Sequence, residues 1–340
     1  MTAPGQPPSA HLAAADRLRR SDPALTELRL QGLHALDSEV VGVPPAIMDD
    51  LSAALGASSA LTALSLACCQ VAPRGWAAMG AGIAASVSLT ALEIADTLLG
   101  DAGARELAGA LRGSRPLATV KLRACGIGPA GCAVLSEGIA ASASLTELDL
   151  SGSWVGDAGA KQLAHALGRS RAPLARLSLQ ECRIGAPGCQ ALGRGVEANT
   201  SLVELHLAGN DVGDDGARAL QGSTCLSVLN LRCCGIGPNG CVALCLGIAA
   251  SPALTDLELA GNAIGDDGAR AIGAVIARCS ALTRLCLRDC GIGARGCRDL
   301  SVGVCKSTSL TEFDLCTNNV LDVDAANQRA SPLHRYFVAV

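Results

Sequence analysis

Aromatic residues are nearly missing from this 340-residue chain, which has two Trp, two Phe and one Tyr. A stacking platform for bases or sugars is hard to build from that set. A strong charge of either sign is missing as well. The 27 Lys and Arg stand against 31 Asp and Glu, giving a net charge of −4 and a pI of about 5.8. That balance leaves no basic footprint for nucleic acid or an anionic membrane, so neither is expected as a partner. Met1–Arg20 has no continuous apolar stretch after a basic start, so a secretory signal is not expected.

Chemistry-bearing motifs are also scarce. There is no P-loop, no H-E-x-x-H and no G-x-S-x-G. The five His residues (His11, His34, His165, His206 and His334) are scattered. Two stretches, Gly75–Leu92 and Cys233–Thr255, carry no charge and are long enough on paper to cross a bilayer. Each contains helix-breaking Gly or Pro and crosses a boundary of the repeat described next, so both read as protein core.

What the chain does have is a repeat. The apolar spacing L-x-x-L-x-L recurs eleven times, beginning at Leu25, Leu61, Leu89, Leu117, Leu145, Leu174, Leu202, Leu226, Leu254, Leu282 and Leu310. Most intervals are 28 or 29 residues, and a period of that size means a stacked solenoid rather than a globule. In the stretch Leu145–Thr200, Leu145, Leu148 and Leu150 alternate as in a strand. Ala160, Leu163, Ala164 and Leu167 then fall on one helical face, with Asp157 as a plausible cap of that helix. Strands pack about 4.8 Å apart and helices about 8–10 Å apart, so the expected fold is an α/β horseshoe. A parallel β-sheet would line its concave face and helices its convex face.

Two kinds of repeat alternate. One has Cys at the turn followed by G-I-G-P/A-x-G-C, as in Gly126–Cys132 and Gly235–Cys241. The other has Asn, Ser or Thr at the turn followed by G-D-x-G-A, as in Asn210 with Gly213–Ala217 and Asn262 with Gly265–Ala269. The pairs Cys125/Cys132, Cys182/Cys189, Cys234/Cys241 and Cys290/Cys297 thus sit at equivalent places. A C-x₆-C spacing fits no usual zinc site, and buried thiols behave as small hydrophobes, so structural thiols in a reducing, cytoplasmic setting are expected. No cofactor, metal or catalytic residue is expected.

This alternation of Cys and Asn turns over 28 or 29 residues, from Leu25 to Asn318, resembles the ribonuclease-inhibitor class of leucine-rich repeats. The resemblance implies a habit of binding proteins. The expected organisation is a flexible segment 1–22, a repeat domain 23–320 of about eleven repeats, and a cap or tail 321–340 in which Tyr336 and Phe337 fold back. Two irregularities stand out. The first interval is 36 residues, and Leu202–Leu226 is only 24, four short of the period. Four residues are about one helical turn, so the missing turn is expected in an outer helix.

The strand residues facing away from the core give charged rows. Glu147, Arg176 and Glu204 form one, Asp256, Arg284 and Glu312 another, and Glu93, Lys121 and Asp149 a third. These are expected to neutralise one another as ladders. Arg123, Arg232 and Arg288 fall one position further along with no obvious anion in their row, and His206 lies on the same face. These four are the candidate partner-binding residues. The expected function is a non-enzymatic scaffold that binds a protein along the concave face. The alternative is a GTPase-activating regulator of a small GTPase, resembling the Ran-activating protein, for which Asn318-Asn319 is the nearest match to the asparagine-rich turn. Inhibition of a secreted ribonuclease is a further possibility, but the concave face lacks Trp and Tyr anchors.

Overall fold

The computed structural model describes residues 25–31, 45–113, 116–169 and 173–319. The segment 1–22 and the cap or tail 321–340, with Tyr336 and Phe337, lie outside the described residues. The chain divides into two compact units, residues 1–154 with 169–174, and residues 155–168 with 175–340.

In the first unit each L-x-x-L-x-L segment supplies one strand. These are β1 (Glu27–Gln31), β2 (Ala63–Ala67), β3 (Ala91–Ala95), β4 (Thr119–Arg123) and β5 (Glu147–Asp149), and each pairs in parallel with the next. Between them run helices α1 (Pro45–Ala57), α2 (Pro73–Ala85), α3 (Gly100–Gly113) and α4 (Pro129–Ala141). The apolar stretch Gly75–Leu92 is most of α2, a turn and the start of β3. No helix among the described residues is long and apolar enough to cross a membrane.

The second unit opens with α5 (Gly156–Arg169), all but its last residue. It continues with β6 (Arg176–Ser178), α6 (Ala186–Ala198), β7 (Glu204–His206), α7 (Gly213–Ala219), β8 (Val228–Asn230), α8 (Pro238–Ala250), β9 (Asp256–Glu258), α9 (Gly265–Ile276), β10 (Arg284–Cys286), α10 (Ala294–Lys306) and β11 (Glu312–Asp314). Strands β6 to β11 again pair in parallel, each with the next. The missing turn falls where the short interval placed it. Helix α7 has 7 residues, whereas the other helices have 12 to 14. Its apolar face keeps phase, with Ala217 and Leu220 both buried.

The core follows from the repeat. In β2 and β3 the Leu and Ile at alternate positions are buried, and in α5 Ala160, Leu163, Ala164 and Leu167 are buried together. The residues between them form the open face of each sheet, the side that carries no helix.

The two kinds of repeat are joined by hydrogen bonds that the core alone does not supply. Each turn Asn serves the Cys turn before it. Asn262 Oδ1 accepts from the backbone N–H of Cys234 and Ile236, both at 3.0 Å, and its Nδ2 donates to the carbonyls of Leu231 at 2.8 Å and Leu259 at 2.7 Å. Asn210 and Asn318 repeat the pattern on Cys182 and Cys290. Buried backbone groups need such partners, and a short amide can satisfy donors and acceptors at once. The turn thiols point the other way. Sγ of Cys234 lies 3.2 Å from the Leu207 carbonyl, and that of Cys290 lies 3.2 Å from the Leu259 carbonyl. They are free thiols held as weak S–H donors, and burial pushes the Cys125 thiol up to about 12 and those of Cys234 and Cys290 to about 11.

The Asp of G-D-x-G-A caps a helix, but not the one it belongs to. Asp157, in α5, accepts from the backbone N–H of Gly185 at 2.8 Å and Gly188 at 2.9 Å, at the start of α6. Asp266, in α9, does the same for Gly293 and Gly296 before and within α10, at 2.7 and 2.9 Å. Asp101 and Asp214 reach Gly128 and Gly237. The expectation that Asp157 caps its own helix is therefore corrected. As the second residue of α5 its side chain reaches across to the next helix, whose own N-cap residue, Gly185, has no side chain. The negative charge also favours the helix N-terminus it meets. The glycine inside the partner motif follows from this contact. A Cβ on Gly296 would lie 2.5 Å from Asp266 Oδ1, closer than atoms can come.

Candidate functional site

On the open face of the sheets, register sets which side chains stand beside one another. In the first unit β3 and β4 align Glu93 with Lys121, and β4 and β5 align Lys121 with Asp149. The ion pairs run diagonally instead. Lys121 Nζ lies 3.2 Å from Glu147 Oε1, and Arg123 Nε lies 3.7 Å from Asp149 Oδ2. Long flexible cations reach a carboxylate two residues away along the next strand as easily as the one directly opposite. The expectation that Arg123 has no anion beside it is thus corrected: Asp149 is its partner. Glu93, expected to flank Lys121, has no cation within 4.0 Å among the described residues, and neither has Asp96.

In the second unit the rows behave more as the sequence suggests. Arg176 grips Glu204 with both arms of its guanidinium, Nε to Oε2 at 2.5 Å and Nη2 to Oε1 at 2.7 Å. That hydrogen bonding holds the Glu204 carboxyl below the usual carboxylate range. Arg284 pairs with Asp256. His206 Nε2 lies 3.5 Å from Glu204 Oε2, and the His206 side chain is 21% exposed, so this histidine edges the Arg176–Glu204 pair.

Arg232 and Arg288 follow β8 and β10. Both are exposed, and among the described residues neither has a carboxylate within 4.0 Å. The carboxylates nearest in sequence pattern are turned elsewhere. Glu258 Oε1 accepts from the Ala260 backbone N–H at 2.9 Å, and Asp314 Oδ1 accepts from that of Cys316 at 2.8 Å. Asn230 does the same for Arg232 at 3.0 Å. A side chain accepting from the N–H two residues on is a local turn that competes with cross-strand pairing. Between the two arginines stands Ala260, after β9, only 5% exposed. The result is two free guanidinium groups two strands apart, roughly 10 Å, over a small-residue floor.

A group of carboxylates also borders a shallow cleft in the second unit, with Asp157, Asp211, Asp214 and Asp215 among its walls. Asp157 and Asp214 there are the helix caps described above, and Arg218 pairs with Asp215 at 2.6 Å. The cleft is therefore largely architecture.

Comparison with known proteins agrees with this repeat pattern. The leucine-rich-repeat family model matches residues 141–164, 198–220, 222–245 and 250–273. The chain is 39% identical over 90 residues to the ribonuclease inhibitor of Sus scrofa, a match covering 25% of this chain and 20% of that protein. It is 35% identical over 98 residues to human NACHT, LRR and PYD domains-containing protein 5, covering 27% of this chain and 8% of that protein. The matches thus span a fifth or less of these relatives' length. Among solved structures it is similar to an internalin of Listeria monocytogenes, with a TM-score of 0.48, 19% identity, and coverage of 92% of this chain and 90% of that one.

Proposed function

Because this chain is a leucine-rich-repeat protein of the ribonuclease-inhibitor type, we propose that it is a non-enzymatic scaffold that binds a protein partner on the open face of its sheet. Leucine-rich-repeat proteins as a class act in protein–protein interaction. The observation that carries the finer reading is the free pair Arg232 and Arg288. An unpaired arginine on an accessible face keeps its five donors in a planar fork, ready for a carboxylate or carbonyl of a partner. Such residues are among those that dominate binding energy at protein interfaces. Arg123 and His206 belong to the same proposal with smaller parts, since each already stands beside a carboxylate.

The proposed setting is a reducing one, the cytoplasm. The support is the use of the turn cysteines as buried S–H donors, a role only the reduced thiol can fill.

The experiment is quantitative affinity capture from cell extract with the intact chain. The double variant Arg232→Ala/Arg288→Ala is compared with a control, Arg270→Ala, on the exposed side of α9. Proteins captured by the control and lost by at least tenfold with the double variant support the reading. An unchanged set of captured proteins rejects it.

A further inference from the structure

Among the described residues, α8 is the one helix with no charged side chain. It buries Cys241, Ala243, Leu244, Cys245 and Ile248 against the sheet and its neighbours. A helix at a surface ordinarily turns charged residues outward, and a helix that is apolar on every side is normally covered. The outward residues of α8 are Val242 and Leu246, one turn apart and 45% and 65% exposed. The exposed Ala249 and Ala250 continue the same stripe. From Val242 to Ala250 it runs about 12 Å along the helix.

The helices on either side begin with one and the same sequence, Gly-Asp-Asp-Gly-Ala-Arg-Ala, at Gly213–Ala219 in α7 and Gly265–Ala271 in α9. Their charges are already engaged. Asp214 and Asp266 bond the starts of α8 and α10. Asp215 pairs with Arg218 at 2.6 Å, and Asp267 with Arg270 at 3.6 Å. Further out, Glu197 lies against Gly222 and Arg278 follows α9, one charge of each sign. The stripe is thus an uncharged strip between two balanced walls. The wall on the α7 side is also short. Helix α7 ends at Ala219, and the Gln221 backbone crosses so close to α8 that a Cβ on Gly247 would collide with it.

We propose that this stripe joins two copies of the chain, which pack α8 on α8 in antiparallel sense about a two-fold axis. A charged partner segment would lose its hydration here and find no free counter-charge. An uncharged aliphatic helix loses nothing, and the chain itself supplies one, a second α8. The two-fold passes beside Leu246, at the middle of the stripe, so Leu246 of one copy meets Leu246 of the other. Val242 of each copy then lies over Ala250 of its partner, large against small, which lets the helices approach at ordinary packing distance. Their dipoles oppose one another. The same axis sets the start of α7 in one copy opposite the end of α7 in the other. A turn is missing there, so the Asp215–Arg218 pair meets no like charge from α7. The stripe lies on the helix side of the second unit and is independent of the arginine pair on the open face of the sheet.

One helix crossing with its flanks is a small interface, below about 1,200 Å² in total, so the dimer is expected to be weak, with a Kd on the order of tens of micromolar. The test is sedimentation equilibrium of the full-length chain over a concentration series. The expected result is a reversible monomer–dimer equilibrium. Its Kd should rise at least tenfold in Leu246→Glu and in Val242→Glu, and stay unchanged in Arg232→Ala/Arg288→Ala. Both stripe variants alter exposed side chains, and thermal melts followed by circular dichroism check that they fold as the wild type does. A photo-crosslinking amino acid at Ala249 reads the arrangement, and irradiation is expected to join it to α8 of a second copy. A chain that stays monomeric at every concentration, or a dimer indifferent to Leu246→Glu, overturns the proposal. So does a crosslink from position 249 to residues 321–340 of the same chain, or in cell extract to a different protein in place of a second copy.

Discussion

Replacing Asn262 with alanine removes one side chain and takes a hydrogen bond from four buried backbone groups, of which the Leu259 carbonyl keeps the Cys290 S–H. The N–H groups of Cys234 and Ile236 lose their acceptor, and the carbonyls of Leu231 and Leu259 lose a donor. Each stranded buried N–H costs about 1–3 kcal/mol, and the carbonyls less, because each has a second lone pair. The total is about 4 kcal/mol, well above the usual effect of a point substitution. Urea denaturation followed by far-ultraviolet circular dichroism measures it. Asn262→Leu separates hydrogen bonding from packing, since leucine fills similar volume without bonding. If hydrogen bonds matter, leucine costs at least as much as alanine. The converse substitution lies in the first unit. Ser153 takes the place of the turn Asn, is fully buried, and its Oγ has no hydrogen-bond partner. Ser153→Asn restores the amide to a turn whose Leu150 and preceding glycine match those around Asn210 and Asn262. At about 0.5–1.5 kcal/mol per net bond, it is expected to stabilise the protein by roughly 2 kcal/mol. An Asn262→Leu variant as stable as wild type, together with a destabilised Ser153→Asn, would refute the reasoning.

Two further outcomes follow from the same architecture. Asp266→Ala removes the cap that reaches across to α10 and should cost about 0.5–2 kcal/mol. Amide hydrogen exchange should show the loss at Gly293 and Gly296 rather than at the start of α9, and exchange confined to α9 would return the cap to its own helix. The buried thiols set a limit at high pH. Burial raises Cys125, Cys189, Cys234, Cys290 and Cys297 to about 11 or 12, above the ordinary value of 9.0, so the unfolded chain loses these protons first. Their contribution to stability is complete below about pH 9 and is lost as pH rises toward 11 or 12. The melting temperature should therefore fall steeply from pH 8 to pH 10.5, and a flat profile would show that these thiols are not neutral and buried.

The strands, the helices and even the lost turn in α7 were legible in the sequence, because core leucines at fixed spacing leave one way to fold back on a neighbour. The unbridged, structural role of the turn cysteines was legible in kind, and the recurrence of Asn at alternate turns marked the places from which Asn262 and its equivalents bond the Cys turns. Asp157 was misread because sequence order suggests that a polar residue at a helix start caps that helix. Only the stacking of helices shows that the open N–H groups nearby belong to the next one. The open face was the least legible part. Strand register aligns Glu93 with Lys121, yet the ion pair forms diagonally with Glu147. The freedom of Arg232 and Arg288 depends on Glu258 and Asp314 bonding to their own backbone, which no charge count reveals.

The central claim is that this open face, through Arg232 and Arg288, holds a protein partner. It is tested most directly by placing a photo-crosslinking amino acid at Ala260, between the two arginines, and another at Gln190, on the exposed side of α6. The account expects irradiation in cell extract to join a discrete partner to the Ala260 position, and the same band to vanish in Arg232→Ala/Arg288→Ala. A partner joined at Gln190 and not at Ala260, or a band at Ala260 that survives loss of both arginines, would contradict it.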